Sequence, residues 1–281
     1  MPHHRELAAG VFYWISGKAR QDVDSIAALG AEVCQLAVTG ETGVSPALGV
    51  AYRLALAADR LTAVTVFAAY KGESYADIPT VMRTVGFMPR PTRAAREMRT
   101  RQVIEFGSAA GIPSFGCHIG FVPETTSDPD YIAVRDMVRR IAAYAASYGM
   151  NFCLETGQEP AELLLSFLRD VNRPNVRINF DPANMVLYGS GEPIDAFKLL
   201  RPHVISIHAK DGDWPDANTP GALGTERPLG SGSVNIAKFV HTVRSSGYAG
   251  TLNVESGVHG DEPHHVTLSH AIALVKRLRG A

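Results

Sequence analysis

The stretch HVISIHAKD, residues 203–211, decides the fold. Its first half is apolar almost throughout, as at Val204 and Ile207, a continuous pattern that is typical of a parallel strand buried on both faces. Two ionisable side chains, His208 and Lys210, follow directly. In a barrel of parallel strands, the polar groups at the carboxyl ends of the strands form the active site. The stretch therefore predicts a buried parallel strand that leads into such a site.

The same apolar pattern occurs elsewhere along the chain, and amphipathic stretches with helical spacing separate the apolar runs. The predicted strands cover residues 10–16, 32–39, 61–70, 112–122, 150–157, 175–184, 203–211 and 250–257. Gly30 and Gly111 end two predicted helices, and Asp128 followed by Pro129 begins another. Strand–helix units in strict alternation predict a (β/α)8 TIM barrel that forms one domain over residues 1–281, with a doubly wound open sheet as the alternative.

The composition restricts the classes of function. The chain has 281 residues, of which 46% are hydrophobic and 20% charged, and its formal net charge is -1. This balance argues against a general nucleic-acid binder or membrane-surface binder, since those proteins usually carry a basic face. No apolar stretch is long enough for a signal peptide or a membrane span. The three cysteines lie in apolar runs without a CxxC spacing, which predicts reduced, buried thiols in a cytoplasmic protein.

Consecutive predicted strands in the second half of the chain each end in a group that can bind a metal ion. These groups are Glu155, Asp181, His208 and Glu255. Carboxylates that converge on one point repel each other unless a cation neutralises them. An oxygen-rich set of ligands with one imidazole favours one divalent ion, with Mn²⁺ as the first choice and Mg²⁺, Co²⁺ or Zn²⁺ as alternatives. Each of these residues, taken alone, could instead cap a helix or form a salt bridge.

Further residues near the predicted mouth of the barrel are candidates for substrate binding. They are His118, Lys210, Asn184, Trp14 and Phe67. His118 ends the predicted strand 112–122 and could contact substrate, or could be a packed histidine that is bonded to backbone. Lys210 follows His208 by two residues and so shares its strand face, where it could bind a substrate oxygen. The alternative for Lys210 is an ion pair with Asp211 or Asp213.

The remaining candidates also have structural alternatives. Asn184 could hydrogen-bond the substrate or cap a helix. Trp14 and Phe67 lie at strand ends and could form an apolar wall of the site, or belong to the core. The loop GSGS, residues 230–233, lies before a predicted helix and could cradle a phosphate through its N–H groups, although such loops are more often only a turn and a helix cap.

A set of motifs in a fixed order resembles the sugar phosphate isomerase/epimerase family. The motifs are LETG (154–157), NFDPANM (179–185), HAKDGDWP (208–215), PLGSGSVNIAKFV (228–240) and LNVESG (252–257). The members of this family are xylose isomerase-like barrels related to ketose 3-epimerases, inosose dehydratases and hydroxypyruvate isomerases. The resemblance covers most of the chain and is most specific after about residue 150. It implies that the four strand-end residues bind one divalent metal ion, and that Glu155 and Glu255 also move protons on the two faces of a ketose.

The chain departs from the ketose 3-epimerases at two positions. Those enzymes commonly have a histidine three residues after the aspartate of strand six, where this chain has Asn184. They also tend to have an arginine six residues after the histidine of strand seven, where this chain has Trp214. Because both family residues contact the substrate, the resemblance does not specify which substrate this chain takes.

The resemblance implies an isomerase or epimerase of a small keto sugar, sugar phosphate or hydroxy-keto acid, which acts through an enediolate. The alternative is a lyase or dehydratase that eliminates from a keto-inositol or a 3-keto-glycoside. A third class is an endonuclease IV-like DNA repair enzyme, and a fourth is a binding barrel without catalysis. The expected partner is a small-molecule carbohydrate, not nucleic acid or a membrane. The family often forms dimers or tetramers, which makes a homodimer or homotetramer the expected assembly.

Overall fold

Eight parallel strands close into a barrel in the computed structural model, which describes residues 7–258 and 263–280. The barrel strands are β1 (Ala8–Trp14), β2 (Val33–Val38), β3 (Thr62–Ala68), β4 (Ser114–Cys117), β5 (Asn151–Glu155), β6 (Val176–Phe180), β7 (Val204–Ala209) and β10 (Thr251–Val254). The two remaining strands, β8 (Asp211–Asp213) and β9 (Thr225–Arg227), form a separate antiparallel pair. The predicted (β/α)8 barrel is confirmed, and the open sheet is excluded because β1 pairs with both β2 and β10.

Helices surround the barrel and connect successive strands. They are α1 (Ala19–Ala28), α2 (Pro46–Ala58), α3 (Ile78–Thr84), α4 (Arg93–Ala109), α5 (Pro129–Ser147), α6 (Ala161–Val171), α7 (Pro182–Tyr188), α8 (Pro193–Leu200), α9 (Ile236–Ser245) and α10 (His264–Gly280). Short 3₁₀ turns cover Arg90–Thr92 and Arg201–His203. No helix in the described part of the chain is long and apolar enough to cross a membrane.

Several helices begin at the same local signal. Ser45, Asp128 and Asp181 each accept a hydrogen bond from a backbone N–H of the helix that follows, and each precedes a proline at the start of that helix. The side-chain oxygen satisfies an N–H that would otherwise lack a partner, and proline has no N–H to satisfy at this position. These caps fix where each connection leaves the barrel rim.

Two predicted strands are shorter in the structure than their apolar runs. The stretch predicted as 175–184 stops at Phe180, because Asp181 and Pro182 begin helix α7. The stretch predicted as 112–122 forms a strand only over Ser114–Cys117, so His118 follows the strand rather than ending it. In both cases the apolar pattern continues into buried connections at the rim, and this continuation hides the end of the strand.

The β8–β9 pair continues the chain beyond β7 and places Glu226 opposite Gly212 in an antiparallel register. Its first residue, Asp211, is buried and accepts hydrogen bonds from the backbone N–H groups of Gly230, Gly232 and Val234 at 3.0–3.1 Å. The GSGS loop is therefore fastened to a carboxylate of the same chain. The structure therefore supports the interpretation of this loop as a turn rather than as a phosphate cradle.

Candidate metal centre and adjoining cleft

The strand ends bring Glu155, Asp181, His208 and Glu255 together at the carboxyl end of the barrel. Glu155 is the last residue of β5, Asp181 and Glu255 directly follow β6 and β10, and His208 lies in β7. One possible ligand atom from each side chain lies within 4.8 Å of all the others. The predicted convergence of these four residues is therefore present in the structure. It follows from their register, because each is at or next to the carboxyl end of its strand.

The orientation of the His208 ring is set from behind by Gln35, a fully buried residue of β2. The side-chain amide N–H groups of Gln35 donate to Asn179 Oδ1 at 3.0 Å and to Ser206 Oγ at 2.7 Å. Its carbonyl Oε1 then faces His208 Nε2 at 2.7 Å and accepts a hydrogen bond from it. The proton on Nε2 leaves Nδ1 of a neutral imidazole as the nitrogen that faces the carboxylates.

The surroundings of His208 Nδ1 fit a cation. This nitrogen lies 2.8 Å from Glu255 Oε2, 2.9 Å from Glu155 Oε1 and 3.6 Å from Asp181 Oδ2. His208 Nδ1, Asp181 Oδ2 and Glu255 Oε2 are all buried without a hydrogen bond of good geometry. A lone pair surrounded by carboxylate oxygens is unfavourable in a buried site unless a positive charge lies between them. The donor set of one imidazole and three carboxylates suits a divalent metal ion.

The protonation behaviour of the cluster leads to the same conclusion. Burial lowers the pKa of His208, but Glu255 and Glu155 outweigh it, and the pKa is raised well above its ordinary value. Burial also raises the pKa of Asp181, against the opposing effect of Lys210. The shift of His208 reports an excess of negative charge around this buried nitrogen, whereas that of Asp181 reports the burial of its carboxylate. A proton on Nδ1 or a metal ion can neutralise this charge, and the two compete for the same position.

Asp181 has two separate tasks, one for each carboxylate oxygen. Oδ1 accepts hydrogen bonds from the N–H groups of Ala183 at 2.8 Å and Asn184 at 3.0 Å, and thereby caps helix α7. Oδ2 faces the cluster centre and has no hydrogen-bond partner. The cap thus holds the carboxylate in place while leaving one oxygen available as a ligand.

Glu155 is held by two predicted substrate-binding residues. His118 Nε2 lies 3.1 Å from Glu155 Oε2, and the Asn184 side-chain amide donates to Glu155 Oε1 at 3.4 Å. The amide of Gln158 lies 2.9 Å from His118 Nδ1 and donates to it, which leaves the proton of a neutral His118 on Nε2. His118 is therefore bonded to side chains and not to backbone, and Asn184 does not cap the helix.

Lys210 belongs to the cluster and not to the loop that follows it. Its Nζ lies 3.3 Å from Glu255 Oε2 and 3.7 Å from Asp181 Oδ2. Burial lowers the pKa of Lys210, but Glu255 and Asp181 raise it well above its ordinary value, so the ammonium group keeps its charge. The alternative pairing with Asp211 or Asp213 is wrong, because Asp211 binds loop N–H groups and Asp213 pairs with Arg227.

Aromatic rings cover one side of His208. Phe12 and Phe67 have ring centroids 5.2 Å and 5.3 Å from that of the imidazole, and both are buried. A side chain at Gly116 would collide with the Phe67 ring, so glycine is required beneath it. Trp14 packs edge-on against Phe12 at 5.3 Å but remains 49% exposed. Phe67 thus belongs to the buried core and also forms an apolar wall of the site, whereas Trp14 lies at the rim of the site.

A cavity of about 480 Å³ opens above the cluster. It is lined by all five predicted substrate-binding residues, by Glu155 and Glu255, and by residues that sequence reasoning missed. The missed residues include Phe12, Tyr75, Leu187, Tyr188, Leu223 and Glu226. Phe12 lies in β1 and Glu226 in the short strand β9, whereas the other four come from the connections after β3, β6 and β8, which carry no strand pattern. Gln35 was also missed, although a lone amide inside the apolar strand VCQLAV could have signalled it.

Comparisons with known proteins identify one family and one solved structure of similar sequence. The model of the xylose isomerase-like TIM barrel family matches residues 23–278 of the chain. The crystal structure of a xylose isomerase domain protein from Planctomyces limnophilus is 37% identical, with 98% of both chains covered and a TM-score of 0.90. No protein of curated function matches the chain significantly.

More distant structures share the fold alone. A xylose isomerase-like TIM barrel protein from Mycobacterium smegmatis in complex with magnesium is 15% identical, with 99% of this chain and 98% of that chain covered and a TM-score of 0.71. A D-allulose 3-epimerase from a Methylomonas species is 16% identical, with 98% of both chains covered and a TM-score of 0.69. The family model and the Planctomyces limnophilus structure confirm the resemblance that the ordered motifs predicted.

Proposed function

Because the chain belongs to the xylose isomerase-like TIM barrel family, we propose that it is a divalent-metal-dependent isomerase or epimerase of a small keto sugar, sugar phosphate or hydroxy-keto acid. The observation that supports this function best is the pair of glutamates at the floor of the cavity. Glu155 and Glu255 each place one oxygen within 3 Å of the same imidazole nitrogen, and both line the cavity. Two carboxylates beside one reacting sugar can remove a proton and return it.

Glu155, Asp181, His208 and Glu255 would hold the metal ion, and Mn²⁺ is our first choice. When bound, such an ion polarises a carbonyl and stabilises the negative charge of an enediolate. The magnesium complex of the Mycobacterium smegmatis relative agrees with a divalent ion in a barrel of this type. The described residues contain one cluster of this kind, which does not favour the several zinc ions of an endonuclease IV-like site.

The residues of the chain supply the proton transfer. Glu255 lies beside the charged Lys210, which holds it in the carboxylate form that can accept a proton from carbon. Glu155 accepts a hydrogen bond from His118 Nε2, which holds its carboxylate in position at the floor of the cavity. Lys210 and Asn184 line the cavity and can donate hydrogen bonds to substrate oxygens.

The test is the exchange of substrate hydrogen with solvent. We expect the Mn²⁺-loaded protein to incorporate deuterium from D₂O at the carbon beside the carbonyl of an accepted keto sugar, with no loss of water or of a substituent. Glu155→Gln and Glu255→Gln should each lower the rate by at least about 10³-fold, since each removes a group that moves a proton. NMR and mass spectrometry measure exchange and product.

The exposed residue Glu192 provides the matched control, because it makes no side-chain cap bond and lies outside the cavity. Glu192→Gln should keep the full rate. Survival of activity in both site variants would contradict the role of the glutamates. Release of water or of an alcohol from the substrate would instead identify the lyase alternative.

A further inference from the structure

We propose that the substrate is an uncharged keto sugar that carries a second ring, and that Trp14 and Glu226 recognise this distal ring. The inference rests on the proposed function for the position of the reacting sugar, which lies over the metal ligands. It goes further because it specifies the charge and size of the substrate and the residues that select it.

The space beside the metal centre has two parts. The cavity of about 480 Å³ above the cluster adjoins a second cavity of about 320 Å³. Phe12, Trp14, Glu226 and Glu255 line both of them. Together they lie within the range of roughly 300–1,000 Å³ that is typical of sites for drug-sized ligands. A substrate with its keto group over the cluster could therefore extend past Trp14 and Glu226 into the second part.

The lysine and histidine side chains that line these cavities are already engaged. Lys210 pairs with Glu255 and Asp181, and His118 pairs with Glu155. His264 Nε2 lies 2.7 Å from Ser256 O, within hydrogen-bonding distance. No arginine lines either cavity within the described residues 7–258 and 263–280. Among the described residues, a phosphate or carboxylate on the substrate would therefore find no unpaired lysine or arginine in these cavities.

The backbone N–H groups of the loop at residues 230–234 are also engaged. The N–H groups of Gly230, Gly232 and Val234 donate to the buried carboxylate of Asp211. This loop would be the natural phosphate cradle of a TIM barrel. An anionic substituent would therefore not gain these three N–H groups as partners.

Glu226 adds a negative charge at the junction of the two cavities. Its Oε1 accepts a hydrogen bond from Gly257 N at 2.7 Å, which fixes the carboxylate. The second oxygen can accept a hydrogen bond from a sugar hydroxyl, and bonds to a charged acceptor are stronger than neutral ones. The same charge repels a phosphate or a sugar acid, so Glu226 selects for neutral hydroxyl groups.

Trp14 offers an apolar face at the same junction. Its ring packs edge-on against Phe12 at 5.3 Å, and this contact holds it while 49% of the residue stays exposed. A rigid, half-exposed aromatic ring contributes a large contact area at low entropic cost. The apolar C–H face of a second sugar ring could pack on Trp14 while its hydroxyls face Glu226.

The experiment compares ketoses that share one core. The probes are D-fructose, D-fructose 6-phosphate and isomaltulose, which carry hydrogen, phosphate and glucosyl on O6, together with maltulose, which carries glucosyl on O4. Isothermal titration calorimetry of the Mn²⁺-loaded protein measures each affinity. We expect one of the glucosylated ketoses to bind at least about 10-fold more tightly than D-fructose and than its phosphate, a difference of about 1.4 kcal/mol.

Variants assign the effect to the two residues. Trp14→Ala should remove most of the glucosyl advantage, whereas Trp214→Ala should preserve it, because Trp214 is 39% exposed and lines neither cavity. Glu226→Gln should strengthen the binding of D-fructose 6-phosphate by about 10-fold or more, since it removes a repelling charge. Glu192→Gln should leave all affinities unchanged.

Three outcomes would overturn the inference: no advantage for either glucosylated ketose, equal or tighter binding of the phosphate, or an advantage that survives Trp14→Ala. Deuterium exchange into the same probes tests the proposed function separately. Tighter binding of a glucosylated ketose without exchange would support the substrate class and contradict the reaction. Exchange into D-fructose and its phosphate at equal efficiency would support the reaction and contradict the substrate class.

Discussion

Gln35 illustrates how one buried side chain outside the cluster can determine which ring nitrogen of His208 faces the carboxylates. Both amide protons and the carbonyl oxygen of Gln35 have assigned partners, so its orientation is fixed. The fixed carbonyl selects the tautomer of His208 and aims Nδ1 at the carboxylates. Residues of this kind commonly change metal affinity by about 10–100-fold when they are replaced.

We therefore expect Gln35→Leu to weaken Mn²⁺ binding by about 10–100-fold, because His208 loses the acceptor that fixes its tautomer. Gln35→Glu should retain most of the affinity, since a carboxylate still accepts the proton of Nε2. Titration calorimetry with Mn²⁺ measures both. The exposed Gln102 on α4 supplies the control, and Gln102→Leu should leave the affinity unchanged. An unchanged affinity in Gln35→Leu would contradict this role.

The partners of Gln35 explain why sequence reasoning did not find it. Gln35 and His208 are 173 residues apart, and Gln35 and Asn179 are 144 apart. A strand pattern predicts which residues are inside, but not which strand lies opposite. The four cluster residues could be predicted because each follows the apolar run of its own strand. Glu226 could not, because only the register of the β8–β9 pair brings it to the cleft.

At the scale of elements, buried polar groups fasten the loops that shape the rim. Glu159, between β5 and α6, is buried, and its carboxylate accepts a hydrogen bond from Val122 N at 2.9 Å. This contact joins the connection after β5 to the connection after β4. Burial raises the pKa of Glu159 from 4.5 to about 7. Such a shift makes the stability of the protein depend on pH.

The direction of that dependence follows from which state holds the proton. Between about pH 4.5 and 7 the native state keeps the proton on Glu159 and the unfolded state does not. The contribution of Glu159 to stability is thus fully present below pH 4.5 and is lost as the pH rises through about 7. Glu159→Gln keeps the acceptor for Val122 N and removes the titration.

We expect the free energy of unfolding of the wild type, relative to Glu159→Gln, to fall by up to about 3 kcal/mol between pH 5 and pH 8. Urea denaturation at several pH values measures it. Glu162, an exposed residue in the first turn of α6, is the control, and Glu162→Gln should show a difference within about 0.5 kcal/mol at every pH. A flat profile for Glu159→Gln would contradict the buried, titrating carboxyl.

The element boundaries show what an apolar pattern can and cannot predict. The pattern located every barrel strand, because parallel strands are apolar on both faces. It did not locate the ends of β4 and β6, because buried residues such as Ile119 and Ala183 continue the apolar pattern into the rim. The Asp181–Pro182 pair is the local signal for a helix start, and it lies inside the stretch 175–184 that the apolar pattern predicts as a strand.

At the scale of the whole molecule, the cluster connects β5, β6, β7 and β10, which form one contiguous side of the barrel. Without a cation, the repulsion among the carboxylates acts directly on these strands. A metal ion that binds only the native state stabilises the barrel by about 2.7 kcal/mol at a free concentration of 100 times its Kd.

We therefore expect saturating Mn²⁺ to raise the Tm of the protein, and EDTA to reverse the increase, as measured by differential scanning calorimetry. Glu255→Ala should lower the Mn²⁺-induced increase, because it removes one ligand without disturbing a helix cap. Glu192→Ala should preserve the increase. A wild-type Tm that does not respond to saturating Mn²⁺ would contradict the metal site.

The closure of the barrel also has a consequence for the order in which the chain folds. Strand β1 lies between β2 and β10, with Val11 opposite Val254. Helix α10 stabilises the pairing of β1 with β10, because Arg279 Nη1 donates a hydrogen bond to Leu7 O at 2.6 Å. At a synthesis rate of about 5–20 residues per second, β1 waits roughly 10–50 s on the ribosome for its second neighbour. During that time one edge of an apolar strand is open to pairing with other chains. The nascent protein is therefore expected to need shielding at β1 until β10 has emerged.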